Sequence, residues 1–225
     1  ILKKDRLQAS VNAHGVSFSN SSFIIFPLLS QVLGEQAIAP FVMVLIFENT
    51  IWMPFVLSMH EHSAAKSEPL SLMQNFKRTI VQIFSHPLLL SVVFGCFLNL
   101  ANIHIPSPIA TVIEIVAAST IGLALFYIGA SLVGAELRGD LKMITLTSLA
   151  KLTLHPLCVG GLGFFVFGLD HFHLVVVLTF AAASTMTIYP ILCAKHGKSA
   201  FCSGVVLLST LLSPIALSII LSLLP

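Results

Sequence analysis

Apolar residues in this chain run in long, nearly unbroken stretches, and the polar residues gather in short intervals between them. This is neither the strict alternation of a half-buried strand nor the narrow stripe of a surface helix. The stretches cover residues 17–33, 37–59, 79–101, 108–133, 142–168, 172–194 and 199–224. Within them the charged side chains are Glu48, Glu114 and Lys151, with Lys142 at an edge. Each stretch is close to the about 20 helical residues that cross a bilayer core. Strands at that depth would need alternating polarity and a closed barrel to satisfy their backbone groups. The pattern therefore predicts an all-α membrane protein with seven transmembrane helices.

Composition agrees: 56% of the 225 residues are apolar and 9% are charged, against roughly 45–50% and about 25% in soluble domains. A net charge of +2 on scattered basic residues is too small to suggest a nucleic-acid partner, and none is expected. The four cysteines, Cys96, Cys158, Cys193 and Cys202, show no CxxC spacing and read as small lipid- or core-facing residues. Residues 1–17 have no apolar core, so they are expected to be a loop and not a signal peptide.

Ten of the eleven Lys and Arg residues fall on one side of a seven-pass threading. They are Lys3, Lys4 and Arg6; Lys66, Lys77 and Arg78; Arg138 and Lys142; and Lys195 and Lys198. The loops near Glu35, residues 102–108 and Asp170 carry none. The positive-inside rule then predicts a cytoplasmic amino terminus and an external carboxyl terminus; the expected location is the cell inner (cytoplasmic) membrane.

A shift of 163 residues lays Ser21-Ser22-Phe23-Ile24-Ile25-Phe26-Pro27 on Ser184-Thr185-Met186-Thr187-Ile188-Tyr189-Pro190, and Gly34 on Gly197. The threading orients these two copies oppositely, as in the inverted repeats of secondary transporters. Three spans precede the second copy and none precedes the first, so three leading helices are expected to be missing from a ten-helix (5+5) parent. Residues 1–59 would then end the first repeat, 60–78 form a cytoplasmic loop, and 79–225 make the second five-helix repeat. Pro27 and Pro190 are expected to break their helices by freeing the carbonyls of Phe23 and Met186. Broken helices at matching places in two inverted copies point to a midplane binding site.

Ionisable groups at bilayer depth are costly and need a partner or a watery cavity. Lys151 reads as a counter-charge for an anion, as a side chain snorkelling toward the cytoplasm, or as half of a structural ion pair, with His155 one turn on and Pro156 beside it. Glu48 is a candidate for proton coupling or ion pairing, and Glu114 is a weaker one nearer the interface. Asn20 and Asn49 offer both donor and acceptor groups, suited to a carboxylate or to helix packing. His60-Glu61-His62 and His171-Phe172-His173 lie at expected loop positions without a third ligand at helical spacing, and read as wet-interface histidines with no metal assigned. No catalytic triad, HExxH, phosphate loop or cofactor motif can be assembled.

Several segments together resemble the auxin efflux carrier family, which includes bacterial malonate-type organic-acid permeases. They are Phe18-Ser19-Asn20-Ser21-Ser22-Phe23 up to Pro27, His86-Pro87, residues 121–129 ending Leu-Phe-Tyr-Ile-Gly, residues 149–156, and Ser209-Thr210-Leu211-Leu212-Ser213. Ile24-Ile25-Phe26 stands where that family often carries glycine before the proline, which makes the crossover bulkier. The resemblance implies ten helices in two inverted halves, with the fourth and ninth, here the first and sixth spans, crossing beside the substrate. It also implies a scaffold made by residues 79–133 and a moving part containing 142–225. The implied activity is carriage of small organic anions, malonate-like or auxin-like carboxylates. Alternatives are a sodium-coupled bile-acid-type symporter and a non-transporting membrane enzyme or sensor subunit. The substrate site is expected at Asn20, Ser21, Ser22, Pro27, Ser184, Thr185, Tyr189, Pro190 and Lys151, with Glu48, His155 and Glu114 in coupling or ion-pair roles. The partners implied are the anion, protons and the lipid bilayer, with a homodimer allowed and no cofactor.

Overall fold

The computed structural model describes residues 6–63, 87–132 and 140–222. Most of the expected loop 60–78, the start of the third span and Arg138 lie outside the described residues. So does the Ser22 side chain.

The described chain is a helical bundle with no strand of its own. Helix α1 is Arg6–Ser17, α2 covers 21–32 and α3 covers 34–63. Then come α4 Pro87–Leu100, α5 Ser107–Leu132, α6 Leu141–Val166, α7 His171–Ala182, α8 Tyr189–Ala194 and α9 Ser199–Leu221. Among the described residues α3, α6 and α9 hold the three stretches long and apolar enough to cross a membrane. Their outer faces carry large apolar side chains that water would not tolerate in such density, including Met43, Leu157, Phe165 (83% exposed) and Ile215.

Two expectations change. Residues 6–17 form α1 instead of a loop; its sequence lacks a strong apolar stripe, and it is held by Val11, His14 and Gly15, buried in contacts with the rest of the bundle. The break expected in the sixth span is wider than a kink at the proline: α7 stops at Ala182 and α8 starts at Tyr189, with 183–188 between them outside any helix.

The prolines act through wide turns and helix starts. Turns of π-helix at Ser21–Ile25, Glu48–Trp52 and Ala150–Leu154 each end two residues before a proline, Pro27, Pro54 and Pro156. A residue without an N–H cannot make the ordinary bond to the carbonyl four back, and the helix widens just ahead of it. Pro190 instead sits in the first turn of α8, where no N–H is required. The Met186 carbonyl is accordingly not freed as expected, because it accepts from the Tyr189 amide at 3.2 Å.

Glycines and aspartates fix the ends. Gly34 (φ 66°) and Gly197 (φ 70°) both take left-handed backbone just past the half-helices that follow Pro27 and Pro190. At α8 this closes the helix with bonds from Gly197 to Ala194 and from Lys198 to Cys193. Asp140 and Asp170 cap α6 and α7, accepting from the amides of Met143 (3.1 Å) and His173 (2.9 Å).

Two apolar clusters organise the interior. One gathers Ile25, Leu29, Phe41, Leu45, Val176, Phe180 and Leu217, the other Val11, Ile144, Tyr189, Cys193, Cys202 and Val205. Along both 11–29 and 176–193 the chain passes from one cluster to the other through a run of small polar residues. These two runs meet.

Candidate functional site

The meeting point is built by backbone. Residues 18–20, between α1 and α2, and residues 183–188, between α7 and α8, run outside helices, and Ser19 pairs with Thr185 in an antiparallel bridge. The Asn20 amide donates to the Ser184 carbonyl at 2.8 Å. Extended backbone buried in a helical bundle must find partners for its polar groups, and each broken segment supplies them to the other. Side chains reinforce the junction. The Thr185 amide donates to Ser209 Oγ on α9 (3.2 Å), its hydroxyl donates to the Gly15 carbonyl (2.7 Å), and the Tyr189 hydroxyl donates to the Val11 carbonyl (2.6 Å).

Beside this bridge lies a polar chain running from α3 to α7. The Ser21 hydroxyl donates to Glu48 Oε2 at 2.5 Å, and the Ser19 amide also donates to the Glu48 carboxylate. On the other side of Ser19, Lys151 Nζ donates to Ser19 Oγ at 2.7 Å, and that hydroxyl in turn donates to the Phe180 carbonyl at 2.5 Å. Lys151 Nζ also lies 3.0 Å from His155 Nδ1, which is 3.1 Å from the Ala181 carbonyl. One ring nitrogen cannot both accept from an ammonium and donate to a carbonyl. With Lys151 charged, Nδ1 is the acceptor and the proton sits on the far nitrogen.

Ser21, Glu48 and Lys151 each lie in one of the widened turns that precede a proline. Wide turns move side chains off the regular helical positions, and such turns recur at functional sites. Lys151 has no exposed surface at all. Its attraction to Glu48 passes through Ser19, which touches both.

A pocket of about 270 Å³ opens against this chain. Its polar lining is Ser19, Asn20, Ser21, Glu48, Asn49 and Thr187, and its apolar lining includes Phe18, Phe23, Leu45, Met53, Met186 and Ile188. The buried hydroxyls of Ser184 and Thr187 have no hydrogen-bond partner among the described residues. Asn49 donates to the Leu45 carbonyl at 2.8 Å, which leaves its amide oxygen for a ligand. α2 starts at Ser21 on the pocket wall, and the positive end of a helix dipole lies at such a start.

The sequence-predicted residues divide accordingly. Asn20, Ser21 and Glu48 line the pocket; Lys151 and His155 stand behind Ser19 and do not line it. Ser184, Thr185 and Tyr189 lie in or next to the bridge, with Thr185 and Tyr189 engaged by α1 carbonyls. Pro27 and Pro190 set the first turns of α2's second half and of α8. Glu114 is exposed on α5 and does not line the pocket. Two residues that carry the geometry were missed, Ser19 and Thr187; the available signal was the uninterrupted polar run from Ser19 to Ser22 opposite Ser184, Thr185 and Thr187. His60 also departs from expectation. It is fully buried on α3 and not at a wet interface, whereas His171 and His173 are exposed at the start of α7.

A helical bundle with lipid-facing apolar surfaces, two broken helices crossing in its interior and a polar pocket at the crossing is the geometry of a membrane carrier. No curated protein matches the chain. The family model described as "Membrane transport protein" matches residues 1–221. The chain therefore belongs to the membrane transport proteins of the auxin efflux carrier family.

Proposed function

We propose that the protein carries small organic anions, carboxylates of the malonate-like or auxin-like class, and that a proton on Glu48 accompanies them. The observation that supports this reading is the placement of Glu48 on the pocket wall, hydrogen-bonded to Ser21, while Lys151 is held behind Ser19. An anion in the pocket meets donors from Asn20 and Thr187 and the start of α2, but it also meets the Glu48 carboxylate. Two negative charges in so small a space repel strongly, so anion binding and protonation of Glu48 favour one another, and that coupling is reciprocal. At about 270 Å³ the pocket is at or below the small end of ligand cavities, which favours compact acids. The one-sided distribution of basic residues supports an orientation with the amino-terminal end of this chain on the cytoplasmic side.

Uptake of labelled mono- and dicarboxylates into proteoliposomes under an imposed pH gradient tests this. The wild type accumulates the anion against its gradient. Glu48→Gln, a permanent mimic of the protonated acid, exchanges it but no longer accumulates it. Uptake driven by a sodium gradient and indifferent to pH, or undiminished accumulation by Glu48→Gln, contradicts the proposal.

A further inference from the structure

Beyond the crossing, three metal-ligating side chains that the polar chain does not use converge inside the bundle. His14 on α1, His60 on α3 and Cys193 on α8 are all buried, and their ligand atoms lie within 4.8 Å of one another. They come from three elements and from positions as far apart as 14 and 193. His14 is held between three rings, with centroids 4.8 Å from Tyr189, 4.9 Å from Phe18 and 5.1 Å from His60. It has no exposed surface, and neither of its ring nitrogens has a hydrogen-bond partner among the described residues. An imidazole buried in that state is unfavourable, because its donor and its acceptor have both left water for nothing. The His196 ring lies 5.9 Å from His60, and its Nε2 is buried with no hydrogen-bond partner among the described residues.

We propose that His14, His60 and Cys193 bind a zinc-class transition-metal ion. The donor set selects the ion: two imidazoles and a thiolate suit Zn²⁺ and do not suit Mg²⁺ or Ca²⁺, which need oxygen. Tetrahedral ligands at about 2.0–2.3 Å from the ion stand roughly 3.3–3.6 Å apart. The group must therefore close by about 1 Å, within reach of small rotations of two imidazoles. Cys193 must give up its proton to bind, and that proton leaves to solvent. Its thiol hydrogen-bonds with that of Cys202.

Such an ion would tie α1 and the end of α3 to α8, the half-helix that follows the 183–188 break. It would therefore fasten the crossing from one end without occupying the substrate pocket, and its binding energy would add to the stability of the folded bundle.

The test is optical. The purified protein is kept reduced, stripped with a chelator and titrated with Co²⁺, a spectroscopic stand-in for Zn²⁺. We expect one equivalent to bind with a thiolate-to-cobalt charge-transfer band that Zn²⁺ then displaces. Cys193→Ser removes the band, His14→Gln weakens Co²⁺ binding more than about tenfold, and Cys158→Ser, at an exposed position, leaves both unchanged. Absence of the band in the wild type overturns the proposal without any variant having to fold. A band that survives Cys193→Ser overturns it equally.

Discussion

Replacing Lys151 by methionine removes the amine while keeping most of the volume of its stem. In the wild type the ammonium donates to Ser19 Oγ and to His155, and through Ser19 it offsets the charge of Glu48. After Lys151→Met the Ser19 hydroxyl still has the Phe180 carbonyl, and Glu48 keeps Ser21 and the Ser19 amide, but its charge loses its compensating cation. Breaking a buried pair by removing one partner costs about 3–5 kcal/mol. Glu48 borders the pocket and is only partly buried, so the low end, about 3 kcal/mol, applies here. For a chain of this length that is a fall in melting temperature of roughly 6–12 °C. Thermal unfolding of the detergent-purified variants is the assay, with Glu48→Gln and the double variant completing a cycle. The double variant should recover about 1–3 kcal/mol relative to the sum of the singles. A shift of less than about 1 kcal/mol for Lys151→Met, or strict additivity, would refute the idea that Ser19 links the two charges.

Two further outcomes follow from the packing around α1 and the cap of α7. A Cβ at Gly15 would lie 3.0 Å from the Tyr189 hydroxyl oxygen and 3.2 Å from a Thr147 methyl, so Gly15→Val should cost about 1–3 kcal/mol by overpacking, and a melting temperature equal to the wild type's would show that α1 does not dock this closely on α8. The Asp170 carboxyl is held below its usual range first by the His173 amide and then by the His173 side chain. Because its folded-state pKa is the lower one, the cap's contribution is present above the unfolded value and is lost as pH falls through the folded one. Amide exchange at His173 should therefore accelerate below the usual carboxylate range, relative to the trend of its neighbours, and an unchanged ratio in Asp170→Asn would show that the cap plays no part.

The parts of this architecture that rest on apolar length were legible in the sequence, and the parts that rest on long-range partners were not. α3, α6 and α9 hold long apolar runs with few charges, and a run of that kind has few alternatives to a membrane helix. α1 escaped notice because its buried face, Val11, His14 and Gly15, is too short and too mixed to print a period. The proline pair drew attention to 21–27 and 184–190, yet the break lies ahead of the proline in both segments, since a residue lacking an N–H is best placed in a helix's first turn. The linkage of Glu48 to Lys151 through Ser19, and the approach of His14, His60 and Cys193, depend on contacts between residues tens to nearly two hundred positions apart. No local periodicity records such contacts.

The claim that the crossing beside Asn20 and Thr187 is the substrate site is tested most directly by protection of a thiol placed there. Thr187→Cys puts a reactive group on the pocket wall, and Glu114→Cys puts one at an exposed position that does not line it. Each is alkylated in proteoliposomes with and without a carboxylate substrate, and the modified peptide is counted by mass spectrometry. The account predicts that the carboxylate slows modification of Thr187→Cys in a saturable, concentration-dependent way and leaves Glu114→Cys unaffected. Equal modification of Thr187→Cys with and without a carboxylate that the same protein transports would contradict it.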